Sequence, residues 1–327
     1  MKLRSILILA IAVCAACSRY PSGPLVFVSN ERGGTVSVID PAKDKLIDTI
    51  IVGGRPRGVR MSADGKHAYV AVSTRINAKP VASDYKVIVL DTTTGKEIKT
   101  LPAGTDPEQL SINQDETRMY VSNEDAGTLT VTDLGTGQTL ATLMTGIEPE
   151  GVTLSPDGRW AYVMAETSST VTVIDTEKNE VVKTFMVGNR PRDAAFSPDG
   201  RRAYVTAELG QTLSVVDVPS HNVIATVPLA FDESVRPVGV AVSPDGSRVY
   251  VANGRGNSVS IIDANTFELI KTVPAGQRVW GIGLAKDGKK LYAANGLSND
   301  ISVIDTGAGE VAATIKGGDG PWGVAVR

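Results

Sequence analysis

Cysteine is nearly absent from this chain of 327 residues, and both examples, Cys14 and Cys17, fall within the first 17 positions. Residues 18–327 can therefore form no intrachain disulfide and no thiolate metal site. Histidine is as scarce. His67 and His221 stand far apart beside expected turns, where isolated histidines read as surface residues, and no Ser-His-Asp arrangement can be built from them. Positive charge is not in excess either: the formal charge is −3, and −5 once Lys2 and Arg4 are set aside. A general affinity for nucleic acid or anionic lipid is not expected from such a balance.

What is present begins with a leader. Residues 1–17, MKLRSILILAIAVCAAC, carry two basic residues, an apolar run from Ile6 to Val13 and then small residues, which reads as an export signal. The run is too short to span a bilayer. Ala15 and Ala16 before Cys17 resemble a lipobox with Cys14 in place of the usual Leu, so Cys17 is a lipidation candidate; simple cleavage releasing a periplasmic protein is the alternative. A short linker, residues 18–24, leads to the domain at 25–327.

That domain is a repeat. Aromatic residues opening short strands recur at Phe27, Tyr69, Tyr120, Tyr162, Tyr204, Tyr250 and Tyr292, and aspartates closing the next strand recur at Asp40, Asp91, Asp133, Asp175, Asp217, Asp263 and Asp305. Each unit of about 42 residues reads as four strands rich in β-branched residues. Between the first two, SPDG at 155, 197 and 243 suits a type I turn, and the aspartates suit side-chain caps of the turns that follow them. Seven four-stranded units at this period predict an all-β fold, a seven-bladed β-propeller of antiparallel blades. The chain enters on a second strand, LVFVSN, and ends on a first strand, WGVAVR, so the C-terminal strand is expected to complete the N-terminal blade.

Between blades the loops keep a Gly-x-x-Pro-x frame and vary the charges around it, from GGRPRG at 53 to GIEPEG at 146. All seven are expected at one mouth of the central channel. Flanking the proline position they place Arg55, Arg57, Glu108, Glu150, Arg190, Arg192, Arg236, Arg278, Trp280 and Trp322, with Asp106 and Glu148 completing an acidic arc. Two readings stand side by side. Neighbours such as Arg57 with Glu108, or Glu150 with Arg192, can be ion pairs that stitch blades together. Alternatively, six guanidiniums beside two indoles can hold a planar anion or an acidic peptide. The extra residues of STRINAKPVASDY in the second unit and of AFDESVRP fall on the same face, as insertions around a binding face often do. GLAKDGKK from Gly283 is not a phosphate loop, because Lys290 replaces the Ser or Thr and a strand follows.

The repeat YVANGRGNSVSIIDANTFELIKTVPAG resembles the YVTN family of propeller repeats. DPEQLSI, IEPEGV, NRPRDAAF, VRPVGV, GQRVWGI, NGLSNDISVID and PWGVAVR, in that order, are similar to the seven-repeat propeller family associated with pyrroloquinoline quinone (PQQ)-dependent catabolism. The resemblance implies an exported, non-enzymatic binding or scaffold protein that serves alcohol oxidation and its transport system, with no established catalytic residues and no cofactor of its own. Its partners would be a quinoprotein dehydrogenase, a cytochrome or a transporter component. Quinoprotein dehydrogenases carry tryptophan-bearing docking repeats and commonly a vicinal disulfide, which residues 18–327 lack. The planar, tricarboxylate PQQ is itself a candidate ligand for the arginines. The alternative is a lactonase-like hydrolase, as some related propellers are, with Glu108 or Glu150 as base beside Arg57 or Arg192. A metal requirement is not expected.

Overall fold

The computed structural model describes residues 18–229 and 233–327, and the expected export signal with Cys17 lies outside them. Seven four-stranded antiparallel sheets form the ring. Six are consecutive in sequence. The other joins the last strand, Pro321–Val326, to the first, Val26–Asn30, with Val26 opposite Val326 and Phe27 opposite Ala325. The blade containing both chain ends is called blade 1 below, and blades 2 to 7 follow in chain order.

Alternation along the strands explains the packing. The second and third strands of every blade are buried almost throughout, while the outermost strands, such as Glu180–Met186, alternate exposed and half-buried residues because one face meets solvent. The repeating aromatics sit between sheets: Phe27, Tyr120, Tyr162, Tyr204, Tyr250 and Tyr292 are fully buried, and each apolar cluster draws on two neighbouring blades. Glycine lets the innermost strands close on one another. A Cβ on Gly151, Gly281 or Gly323 would lie 2.4–2.6 Å from the carbonyl oxygen of Arg192, Trp322 or Arg57 on the next blade. Side chains therefore line the channel only where the sequence departs from glycine, at Gln109 and Asp193 among the equivalent positions.

Turn chemistry defines the lower face. Asp175 Oδ1 accepts from the Glu177 and Lys178 amides, and Asp263 and Asp305 cap their turns in the same way. Residues 18–24 lie across this face as a strap. Arg19 and Tyr20 reach Asp48, and the Arg327 guanidinium donates to the carbonyls of Pro21, Gly23 and Thr92. The interblade loops and the enlarged loop of blade 2, with its 3-10 turn Ala82–Asp84, lie on the opposite, upper face.

Candidate functional site

The interblade loops are built by one recurring device. The residue before the proline position takes a left-handed backbone at Asp106, Glu148, Arg190, Arg278 and Gly320, with φ of 50°, 56°, 62°, 56° and 71°. That turn directs its carbonyl to the amide of a residue at the end of the second strand of the same blade: Glu124, Glu166, Glu208, Gly296 and Glu31 respectively. Four glutamates are thereby hung over the channel beside the first-strand residues. This column was missed in the sequence although it has a clear signal, since each member lies four residues after the repeating aromatic: Glu31, Ser73, Glu124, Glu166, Glu208, Gly254 and Gly296.

Those glutamates decide what becomes of the arginines. Arg57 is enclosed by Glu31 at 3.1 Å, Glu124 at 3.5 Å and Glu108, which it meets at shorter range. Arg55 holds Asp106 at 2.8 Å, and Ser73 donates to the same carboxylate. Across the ring Arg192 binds Glu208 at 2.7 Å, Glu166 at 2.5 Å and Glu150 more closely, while Arg190 reaches Glu166 and Glu208 at 2.5 and 3.4 Å. Glu150 and Arg192 are buried, and Glu108 is completely so. Arg236 turns back to the Glu233 and Val235 carbonyls of its own loop, part of which lies outside the described residues. Arg236 and Arg278 are the two of the six that enter no ion pair among the described residues, and of these Arg278 donates no side-chain hydrogen bond there either.

Arg278 lies over the Trp280 ring at 4.6 Å, with Arg192 5.4 Å from the same ring, and Trp280 stacks on Trp322 with centroids 6.1 Å apart. Burial and the nearby Arg255 lower the Arg278 pKa, the mark of a guanidinium short of counter-charge. These groups line a cavity of about 350 Å³ together with Glu31, Arg32, Arg57, Glu108, Glu124, Glu150, Arg190 and Arg192, and Gly296, Ile76 and Leu297 also border it. Ile76 brings the enlarged loop of blade 2 to the mouth. Below, Gln109 and Asp193 form the floor, where burial pushes Asp193 up to about 6.

The carboxylates divide by environment. Burial works to raise Glu150, but Arg192 and Arg57 outweigh it and hold its pKa below the ordinary range. Burial raises Glu166 to about 7, helped by its hydrogen bond and repulsion with Glu150. Burial, then the Glu150 charge, raises Glu124 to about 7 against the pull of Arg57. The general bases suggested by sequence, Glu108 and Glu150, are thus locked to arginines, and the carboxyl groups able to exchange a proton near neutrality are Glu124 and Glu166.

Two clusters could be considered for metal. Oxygens of Asp106, Glu108 and Glu124 lie within 4.8 Å of one another, but Arg55 and Arg57 already occupy this corner as counter-ions. On the lower face Asp64, His67 and Glu116 approach similarly, so His67 is less isolated than the sequence suggested. His221 is not at the surface at all: it is buried against Trp160 and accepts or donates a 2.7 Å hydrogen bond with Tyr162.

The ring and its mouth make the protein a seven-bladed β-propeller with a polar, acid-rich channel entrance and one aromatic wall. The family model described as "Choice-of-anchor I domain" matches residues 26–189, half of the chain, and the chain belongs to that family. The model described as "Lactonase, 7-bladed beta-propeller" matches residues 176–326, making the C-terminal blades similar to that family. Among solved structures the chain is similar to Kuenenia stuttgartiensis hydrazine synthase, with 25% identity, a TM-score of 0.77, and 86% of this chain and 92% of that one covered. It is also similar in fold to a functionally unknown protein from Desulfotomaculum acetoxidans, with 17% identity, a TM-score of 0.77, and coverage of 92% and 98%. A comparison with curated proteins finds no match.

Proposed function

We propose that the protein is a binding propeller, exported to the periplasm, whose channel mouth takes up a small ligand through a single carboxylate. The observation that carries this is Arg278, held on the Trp280 face beside Trp322 in a cavity of about 350 Å³ and left without a carboxylate of its own. The cavity lies within the range of small-molecule sites, and an apolar or aromatic group on the indoles would bury surface while the guanidinium grips the acid. PQQ fits less well than a monocarboxylate, since Arg278 is the one guanidinium lining the cavity that has no ion pair among the described residues. An accessory role in PQQ-dependent alcohol catabolism, with a lipid anchor at Cys17, rests on the sequence resemblance. Titration of tryptophan fluorescence with 4-methylbenzoate tests the reading: saturable quenching that is lost in Arg278→Ala supports it, and the absence of quenching in the wild type removes it.

A lactonase-like hydrolase is the second reading. It is favoured by the lactonase family match over residues 176–326 and by Glu124 and Glu166, each holding a proton to about 7. Water would then add to the lactone carbonyl, giving its proton to ionised Glu124 or Glu166, rather than to Glu108 or Glu150, and that carboxyl would pass the proton to the alkoxide as the ring C–O bond breaks, with Arg278 or Arg190 facing the developing oxyanion. Turnover of δ-valerolactone that disappears in Glu124→Gln or Glu166→Gln with the fold intact would establish it; no turnover above buffer would exclude it for that lactone class.

A further inference from the structure

Resting on the binding reading above, we infer that the ligand is a zwitterion, whose protonated amine is received by Glu124 while its carboxylate meets Arg278. The observation is an excess of acid on one side of the cavity, where one carboxylate is only loosely engaged. On the blade 2 and 3 side four carboxylates, Glu31, Asp106, Glu108 and Glu124, converge on two guanidiniums, Arg55 and Arg57. Three of these acids are closely engaged. Asp106 has Arg55 and Ser73, Glu108 is fully buried on Arg57, and Glu31 takes the Arg57 Nε at 3.1 Å. Glu124 is the remainder: its one ion contact is a long 3.5 Å, its side chain is 23% exposed, and it lines the cavity.

The cavity lining is therefore unmatched in opposite senses, with Glu124 held only by a long contact to Arg57 and Arg278 without an anion. The elevated Glu124 titration is the expected companion of that shortage. A bare divalent ion suits the acidic end poorly, because the Arg57 guanidinium within it repels a double charge about twice as strongly as the single charge of an ammonium. An ammonium presents its charge on three directed N–H donors and can approach Glu124 from the cavity without displacing the guanidinium. The Trp280–Trp322 wall lies in the same cavity and favours a flat spacer between the charges.

Three isosteric probes separate the contributions: 4-(aminomethyl)benzoate, 4-methylbenzoate and 4-methylbenzylamine, titrated calorimetrically into the full domain at pH 7.5 and low salt. The zwitterion should bind at least about tenfold more tightly than 4-methylbenzoate, as one charge-assisted contact implies. Glu124→Gln should abolish that advantage while 4-methylbenzoate binds at least as tightly as to the wild type, and Arg278→Ala should weaken both acids. Equal affinity of the two acids, or an advantage that survives Glu124→Gln, overturns the zwitterion and leaves the carboxylate site standing. An amine that binds as tightly as the zwitterion, or no binding by either acid, overturns both.

Discussion

Blades 2 to 5 and blades 6 and 7 share one loop frame and treat charge in opposite ways. In the first arc every guanidinium is embedded among carboxylates that reach it from the next blade or from the strand beside it. In the second, glycine stands where the glutamate column would continue, at Gly254 and Gly296, and Arg278 rests on indole instead. The first arc is a clamp between blades and the second is an open surface. The lesson is that an arginine count says little about anion binding until the carboxylates at the neighbouring repeat position are counted too.

Truncation should erase the comparison altogether. Deleting residues 322–327 removes Trp322, the innermost strand of blade 1 and the Arg327 contacts to the strap. It should abolish cooperative melting, and a truncated protein with an unchanged transition would contradict the closure seen here.

Next in size, Arg192→Ala and Arg278→Ala should separate the arcs. Loss of Arg192 leaves Glu150 buried without its ion pair and Glu166 and Glu208 sharing Arg190 alone, so it should cost about 3–5 kcal/mol by chemical denaturation at pH 8. Arg278→Ala should cost under about 1 kcal/mol, as surface substitutions do, while removing ligand affinity. Equal destabilisation by the two would dissolve the distinction between clamp and surface.

The pH profile should show the clamp under strain. Glu124 and Glu166 hold protons to about 7 and Asp193 to about 6, so between roughly pH 4.5 and 7 the folded chain keeps protons that the unfolded chain has released. Stability must fall as pH rises through that window. Below it, the lowered Asp106 and Glu150 act with the opposite sign, and acid weakens the fold. Thermal melts should therefore be highest near pH 4.5, where the two trends cross, and Glu124→Gln should flatten the decline toward pH 8. A melting temperature that rises from pH 5 to 8 would contradict the assignment. Smallest of all, Arg236→Ala removes only bonds to its own loop and should stay within about 0.5 kcal/mol of wild type.

The fold was legible because it is written seven times. Tyr120 and its equivalents, the aspartates of the SVID-like strands and the WGVAVR terminus together determined blade number, strand order and closure. The site was legible only as a location. Gly-x-x-Pro loops announce a mouth, but the pairing within it depends on a peptide hydrogen bond from a left-handed residue to a glutamate some 18 residues on in the chain. Glu124 and Glu166 were passed over because a lone glutamate after a strand looks like solvent-facing polarity. Only repeat alignment reveals that four of them occupy one column. His221 misled in the other direction, since its neighbours Trp160 and Tyr162 lie some 60 residues away and nothing local marks the contact.

The strap beneath the ring sets a direction. Residues 18–24 are fastened to the lower face by Asp48 and Arg327, while the cavity opens on the upper one. A pull applied ahead of Ser18 would load the Arg19 and Tyr20 contacts to Thr93 and Asp48 first and then Arg327, at the end of the strand that locks blade 1, so part of the load at one terminus is resisted by the other. A molecule suspended from a surface by its first residues would hang like a cup with its rim outward, its opening toward whatever diffuses past and its base toward the anchor.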